Sequence, residues 1–430
     1  MTDTLVSIAF GLLFFLLIIL SIVAHEFGHF LPGKIFNVRI TEFFVGFGPK
    51  IWSRKVGETE YGIKWILLGG YNKLLGMYPP RREDAPPGWL QNLADEARAA
   101  EWEDIRRADR TANRLVYQQK TWKKLVIMAG GITMNLLIAF LCFLSVDALY
   151  GQYRPTTTVH EIMPCVLRAD ANSTICAASD PKSPAAQAGI QAQDVVVAFN
   201  GTAITSQPQL GELIRTNLDH EASIVVERAG VRTTLPTVHT VIDGVRDPVD
   251  PSTIISAGWL GVYFEQSLVK GGPAEAASDM WTLSKQSVVA IVQLPVKTYN
   301  VVVNMVTGKP RDPNSPMSIV GASAAAGQVA ASPQLDVGAK AATFGLLLGS
   351  LNLFLALFNL VPLPPMDGGH VASAIYEWIR RQVARLRGKP DPGPADTAKL
   401  LPVAYAVGAL LLLCGAVLIV ADILSPIKIL

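Results

Sequence analysis

Long apolar stretches set the organisation of this chain. Residues 5–24 contain no charged side chain. A helix needs about 20 apolar residues to cross the hydrocarbon core of a membrane. Four stretches meet this requirement, at approximately 5–30, 122–147, 341–362 and 400–424. The pattern therefore predicts a polytopic α-helical membrane protein with four transmembrane helices.

A fifth apolar stretch is less suited to spanning. Residues 287–306, "SVVAIVQLPVKTYNVVVNMV", are interrupted by Pro295, Lys297, Asn300 and Asn304. Mixed polarity of this kind is typical of a helix that lies in the membrane interface. We therefore expect an amphipathic helix at the membrane surface or against the helix bundle.

Basic residues flank the four predicted spans unevenly. Lys120, Lys123 and Lys124 precede the second span, and six Lys or Arg residues lie between the third and fourth. Cytoplasmic loops carry the excess of positive charge in membrane proteins. This rule places residues 31–121 and 370–399 in the cytoplasm, and both termini outside.

The segment between the second and third spans changes in character. Residues 151–266 contain short β-type runs, an Asn200-Gly201 hairpin turn and a helix that Ser206 would cap. Residues 183–204, "SPAAQAGIQAQDVVVAFNGTAI", resemble the core of a PDZ domain. We expect one extracytoplasmic PDZ-like α+β domain here; the alternative is a generic small β-rich domain.

Composition agrees with a membrane protein and excludes other classes. Half of the residues are hydrophobic (50%), 17% are charged, and the mean hydropathy is +0.33. A net charge of +2 gives no bulk attraction for nucleic acid, so we expect no nucleic-acid partner. The four cysteines form no C-x-x-C pair, which argues against a thiolate metal site. On the predicted topology Cys165 and Cys176 lie in the oxidising compartment, and we expect them to form a disulfide.

The first span ends in "HEFGH", which contains His25, Glu26 and His29. Positions four residues apart share one face of a helix, so both imidazoles can bind one metal ion. Glu26 is then placed to act as general base toward an attacking water. The alternative is a buried His–Glu cluster that only holds helices together. Ionisable groups within a span are costly, which favours a functional role.

Two histidines leave a catalytic zinc site one protein ligand short. His160, His220 and His239 fall in the predicted outside domain, and sidedness excludes them. His370 is possible, but Asp367 in "NLVPLPPMDGGH" is the stronger candidate. The first and third spans both run from outside to inside, so both motifs reach the same side of the membrane. If residues 287–306 also spanned, Asp367 would lie on the opposite side.

Two asparagines lie inside predicted spans, Asn135 in the second and Asn359 in the third. Each can join helices by hydrogen bonding. In a catalytic site each could instead bind a substrate carbonyl or the substrate backbone.

Taken together, four motifs resemble the bacterial site-2 protease family of intramembrane zinc metalloproteases. They are "HEFGH", the Gly46-x-Gly48 segment in "FFVGFGPKIW", "LLGGYNKLLGM" at residues 67–77, and "NLVPLPPMDGG". The resemblance implies a Zn²⁺ cofactor held by His25, His29 and Asp367, with Glu26 as catalytic base. It also implies a membrane-associated β-hairpin, with Gly46, Gly48, Asn135 and Asn359 near the substrate.

The same resemblance implies regulated intramembrane proteolysis in a bacterial cell membrane. The substrates would be transmembrane segments of single-span proteins, such as anti-sigma factors or remnant signal peptides, cleaved near the cytoplasmic side. One rival hypothesis is an inactive membrane scaffold whose PDZ-like domain does the work; the intact set of four site residues speaks against it. Another is a metal transporter, which would need polar groups along a whole pathway, and the fourth span offers none before Asp422.

The expected organisation divides the chain into nine segments. These are the first helix (1–30), the hairpin region (31–78), a solvated cytosolic segment (79–121), the second helix (122–150), the PDZ-like domain (151–266), an amphipathic helix and loop (267–340), the third helix with its Asp-Gly motif (341–370), a basic cytosolic loop (371–399) and the fourth helix (400–430).

Overall fold

The computed structural model describes residues 2–81, 88–166, 176, 180–218, 221–240, 245–246 and 254–427. The chain forms two compact units. The membrane unit comprises Met1–Val146 with Ala274–Leu430, and the inserted unit comprises Asp147–Pro273. The inserted unit is four residues longer at its start, and seven at its end, than the predicted boundaries of 151 and 266.

Eleven α-helices occur in the described part of the chain. They are α1 (Thr2–Ile35), α2 (Trp89–Trp102), α3 (Arg107–Thr111), α4 (Thr121–Leu149), α5 (Pro184–Ala188), α6 (Gln207–Thr216), α7 (Pro273–Thr307), α8 (Ile319–Ala331), α9 (Val337–Asn359), α10 (Asp367–Leu386) and α11 (Leu401–Leu424).

Twelve strands accompany them in the same described residues. They are β1 (Ile40–Val56), β2 (Thr59–Leu74), β3 (Gln152–Ile162), β4 (Val195–Phe199), β5 (Thr202–Ala203), β6 (Glu221–Ala222), β7 (Ile224–Arg228), β8 (Val231–Thr234), β9 (Val238–His239), β10 (Val245–Arg246), β11 (Ile254–Ile255) and β12 (Val262–Val269).

Five of the described helices are long and apolar enough to cross a membrane: α1, α4, α7, α9 and α11. This agrees with a polytopic membrane protein. The additional candidate is α7, which contains the stretch expected to lie at the surface and is the least apolar of the five.

The helix directions in the membrane unit follow from their contacts. The ring centroids of Phe14 and Phe344 are 5.4 Å apart, and Asn352 donates a hydrogen bond to Ser21 over 3.0 Å, so α1 and α9 run parallel. Close contacts of Gly11 with Ser323, and of Gly327 with the start of α1, show that α8 runs antiparallel to α1. Phenylalanine side chains thus pack between α1 and α9, and glycines allow the close approach of α1 and α8.

The strands β1 and β2 form a more elaborate sheet than the predicted hairpin. Glu42 in β1 pairs with Lys73 on one side and with Glu60 on the other, and both partners belong to β2. This is possible because each strand bends, so that its two halves pair as separate segments. The result is a sheet of four segments whose bend in β1 lies at Gly46 and Gly48, with φ of 88° and 82°. Beyond the bend, exposed apolar side chains include Phe47, Ile51, Trp52, Trp65, Ile66 and Leu68.

Charged groups fix the base of this sheet. Glu58 lies in the turn between β1 and β2 and pairs with Lys34 of α1, with Arg39 and with Arg114. Burial opposes ionisation of Glu58, but hydrogen bonds from Arg114 and Lys34 hold its pKa down at about 2. These contacts connect the sheet to α1 and to the segment before α4.

The segment predicted to be a solvated cytosolic region has one buried face. Ala94 of α2 is fully buried and packs with Leu401 at the start of α11 and with Ala398 in the 3-10 turn before it. Glu101 accepts hydrogen bonds from three successive backbone N–H groups that follow β2, at residues 76–78. Burial raises the pKa of Glu101 despite these donors. The segment therefore binds the backbone that follows β2 and packs against the start of α11.

The inserted unit contains the predicted small α+β domain. Its main sheet has the order β12-β3-β4-β7-β8, with β5 beside β4. Val159, Phe199, Leu210 and Ile224 are among its fully buried core residues. In β7 the buried apolar residues Ile224 and Val226 alternate, as expected for a strand with one face covered, whereas in β4 a register shift separates the buried Val196 and Phe199.

Local predictions within this unit are confirmed. The Ser206 side chain accepts a hydrogen bond from the Gln209 N–H and so caps α6. Asn200 and Gly201 adopt positive φ in the turn between β4 and β5. Cys165 and Cys176 form the expected disulfide. His220 lies outside the described residues.

Candidate metal centre

The two histidines of "HEFGH" lie on one face of α1, one helical turn apart. Their Nε2 atoms are 3.3 Å from each other. The helix continues past them to Ile35, so both rings are held on a regular backbone within the apolar part of the unit. His29 is buried and His25 is half-buried.

Asp367 completes a compact group of three donors. Its Oδ2 atom is 3.3 Å from His25 Nε2 and 3.2 Å from His29 Nε2. His25, His29 and Asp367 form a group of described side chains whose ligand atoms could hold one ion. His370, the other candidate ligand, lies in the wall of a cavity of ≈ 110 Å³ beside Ser373 and Thr397.

A break between two helices brings Asp367 to this position. α9 ends at Asn359, prolines follow, and Asp367 is the first residue of α10. Proline removes a backbone donor and stops a helix. A Cβ at Gly368 would lie 2.3 Å from the Val361 carbonyl oxygen, so only glycine permits this close turn.

The donor set fits zinc. Zinc is commonly bound by histidine nitrogens and carboxylate oxygens, with bonds of about 2.0–2.1 Å in tetrahedral geometry, which separates ligand atoms by roughly 3.3–3.4 Å. The three separations here are 3.2–3.3 Å. Three protein ligands also leave one position open, as in catalytic zinc sites.

Groups behind the ligands orient one of the rings. His29 Nδ1–H donates to the Ile127 carbonyl of α4 over 2.7 Å, so in the neutral ring Nε2 is the nitrogen with a lone pair that can bind metal. The neighbouring Gly131 gives the rings room, because a Cβ there would lie 2.3 Å from His29 Nε2. Gly28 and Gly130 also meet backbone to backbone, so α1 and α4 approach closely at the site.

Glu26 is half-buried and points to a different partner from the histidines. The Asn72 side chain in β2 donates to Glu26 Oε2 over 2.8 Å and to the Glu26 backbone carbonyl over 2.6 Å. This carboxylate lies beside the candidate metal ligands, and a neighbouring strand holds it. It is therefore placed for proton transfer.

The other predicted site residues, two asparagines and two glycines, lie on α4, α9 and β1. Asn135 is buried in α4, one turn beyond Gly131, and its Oδ1 has no hydrogen-bond partner among the described residues. Asn359 is the half-buried last residue of α9. Gly46 and Gly48 form the bend of β1.

Two contributors to the centre were not predicted: Asn72 and Gly131. Each lies far along the chain from the histidines, so no local spacing marks it. The available signals were the motif "LLGGYNKLLGM", which contains Asn72, and a Gly-Gly pair inside the second span.

Comparisons with known proteins agree with this geometry. A family model described as Peptidase family M50 matches residues 13–390. The chain is 32% identical to "Zinc metalloprotease Rip1" of Mycobacterium tuberculosis (strain H37Rv), over 97% of each chain. It is 30% identical to the Rip1 of Mycolicibacterium smegmatis, over 97% of this chain and 98% of that one. It is also 26% identical to "Zinc metalloprotease RasP" of Oceanobacillus iheyensis, over 87% of this chain and 90% of the relative. The expected resemblance is thereby confirmed, and the chain belongs to Peptidase family M50.

Proposed function

We propose that this protein is an intramembrane zinc metalloprotease that hydrolyses peptide bonds within transmembrane segments of other proteins. The observation that carries the proposal is the triangle of His25, His29 and Asp367 donors beside Glu26, inside an apolar helix bundle. Near-full-length similarity to proteins named zinc metalloproteases supports it.

In this proposal the three donors hold zinc and Glu26 moves the proton. When bound, zinc acts as a Lewis acid that polarises a water molecule and the scissile carbonyl. Glu26 takes the proton of the attacking water and passes it to the leaving amine. Asn135 and Asn359 are proposed to bind the substrate backbone; the Oδ1 of Asn135, which has no partner in the described part of the chain, supports a role as acceptor.

The substrate would bind as an extended strand. A helical segment buries its carbonyls in its own hydrogen bonds, so it must unwind before cleavage. In the described residues β2 pairs only with β1, so its edge at residues 67–72 has no further strand partner, and Asn72 on this stretch contacts Glu26. Addition of a strand to this edge would bring the substrate backbone to the base. We propose that Gly46 and Gly48 contribute to substrate binding by shaping the sheet.

The proposed topology has four spans, with α7 peripheral. α1 and α9 run parallel to the same centre, and α8 returns antiparallel beside α1. The last turns of α7, at Val301 and Met305, pack on Leu418 and Ala421 near the end of α11. On the predicted sidedness both ends of α7 are then extracytoplasmic. The centre would lie near the cytoplasmic side.

The inserted unit is proposed to be a PDZ-like domain outside the cytoplasm, and the substrates to be single-span membrane proteins. Anti-sigma factors and remnant signal peptides are the classes that the family resemblance implies. An inactive scaffold would not require the three donors and Glu26 to converge.

Metal analysis tests the proposal. Detergent-purified protein should contain about one zinc ion per chain, as expected for a single three-ligand site, and should cleave a test transmembrane substrate. His25→Ala should lose both properties because it removes one ligand. His239→Ala is the matched control, since His239 is exposed in the inserted unit. A His25→Ala protein that keeps stoichiometric zinc would contradict the assignment.

A further inference from the structure

The carboxylate of Glu26 is held from outside its own helix. Adjacent residues of an α-helix point about 100° apart, so Glu26 cannot share the supports of His25. Its hydrogen-bond donor among the described side chains is Asn72 of β2. We propose that Asn72 is a positioning residue for the catalytic base, an inference that rests on the proposed function.

The Asn72 side chain makes two hydrogen bonds to the same residue, Glu26. The Asn72 Nδ2 group has two hydrogens, and it reaches Glu26 Oε2 at 2.8 Å and the Glu26 backbone oxygen at 2.6 Å. Both partners are acceptors, which sets the orientation of the amide. One amide thereby ties the carboxylate to its own backbone and restricts the side-chain torsions.

A second position of β2 supports the same side chain. Gly70 lies two residues before Asn72, so both face the same side of the strand. A Cβ at residue 70 would lie 3.1 Å from Glu26 Cγ, in tight contact. β2 therefore carries a small residue against the stem of Glu26 and a donor against its head.

The sheet gives this support its rigidity. Asn72 is paired in register with Phe43 of β1, and Gly70 with Val45. With Oε2 held by Asn72, the described residues leave Oε1 available for proton transfer. The strand whose edge is proposed to receive the substrate thus also fixes the base, so the two would be aligned by one element.

Kinetics on the full-length zinc-loaded enzyme form the first test. Asn72→Leu keeps the approximate shape and removes the donor. We expect kcat to fall roughly 10–100-fold, the usual effect of losing an outer support of a site, with KM and zinc content unchanged. Asn72→Gln retains the amide and should recover part of kcat. Asn92→Leu, the same change on the exposed face of α2, should behave like the wild type.

A double-mutant cycle supplies a test without activity. In metal-free protein, the changes in denaturation midpoint caused by Asn72→Leu and Glu26→Ala should be non-additive, because both remove one contact. Additive changes, or wild-type kcat in Asn72→Leu, would overturn the inference. A loss of kcat matched by an equal loss of zinc would make Asn72 a purely structural residue. Failure of the proposed function would look different, since wild-type and Asn92→Leu proteins would then be inactive as well.

Discussion

Neighbouring residues of α1 have separate tasks at this centre. His25 points to Asp367, whereas Glu26 points to Asn72. The two directions keep the base out of the ligand set, so a change at Glu26 can alter proton transfer without removing a ligand. This separation makes the role of each side chain testable by a single substitution.

Glu26→Gln should retain zinc and lose cleavage. The amide keeps the shape of the side chain but cannot accept the proton, and general acid–base catalysis contributes about 10²–10⁴-fold to rates. We expect at least a 100-fold loss in the cleavage rate of a test substrate, measured beside the zinc content. Glu96→Gln on the exposed face of α2 is the control. Wild-type turnover by Glu26→Gln would eliminate the mechanism.

At the scale of single residues, site residues with short spacing in the sequence could be predicted, whereas contacts between residues far apart in the chain could not. His25, Glu26 and His29 could be recognised because a helix repeats every few residues. Asp367 followed from the direction of the spans. Asn72 and Gly131 could not be assigned roles, because their partners are more than 40 residues away and only packing brings them together.

Among the elements, the bend of β1 determines the shape of the sheet. Gly46 has φ of 88°, and a Cβ there would lie 2.8 Å from the Ile66 backbone oxygen. An L side chain therefore meets both backbone strain and a clash with main-chain atoms. Gly57 also has positive φ, at 63°, but a Cβ there would meet no atom of the described residues within 4 Å.

Gly46→Ala should consequently disturb the sheet more than Gly57→Ala. Backbone strain at positive φ costs of order 1–3 kcal/mol for a residue with a side chain. The clash at Gly46 adds to this cost, so the denaturation midpoint and the cleavage rate should both fall further than in Gly57→Ala. Equal effects of the two substitutions would show that the bend is not sterically specified.

Element types were easier to predict than element partners. Apolar length identified α1, α4, α9 and α11, and turn residues identified the strands of the inserted unit. The double pairing of β1 was not predictable, because it depends on register between distant residues. The buried face of α2 was missed because the alternating charges of α2 conceal Ala94, and its partner Ala398 lies far along the chain.

Considered as a whole, the membrane unit depends on the relative direction of its helices. The contact between Asp367 and the histidines requires α1 and α9 to end on the same side. The segments between them must therefore return to the side on which α1 begins. Non-crossing of residues 287–306 satisfies this requirement and stays a prediction, because α7 is long and apolar enough to cross.

Cysteine labelling tests this topology in intact cells. Cys142 and Cys414 are first replaced by alanine, because they are free thiols. A cysteine at Ser256, exposed in the inserted unit, should then react with an impermeant reagent. A cysteine at Ala99, exposed on α2, should react only after permeabilisation. The opposite pattern would overturn the assigned sidedness.

The inserted unit offers a test of how the whole molecule selects substrates. A PDZ-like domain can capture a newly exposed substrate C-terminus, or it can exclude substrates with bulky outside domains. We favour exclusion, because both ends of the unit are joined to helices of the membrane unit. Its first and last strands are neighbours, with Pro155 paired to Gln266. Residues 156–264 can therefore be replaced by a short glycine linker.

Deletion separates the two roles. Under exclusion, the variant lacking 156–264 should cleave a substrate that keeps its large outside domain, which the intact protein should reject. Under capture, the same variant should cleave even a trimmed substrate more slowly than the intact protein does. Zinc content and denaturation midpoint establish that the membrane unit is still folded, as expected because the three donors and Glu26 all lie within it. Slow cleavage of trimmed substrate by such a folded, zinc-loaded variant would count against exclusion, because removing a filter cannot impair a substrate that the filter already admits.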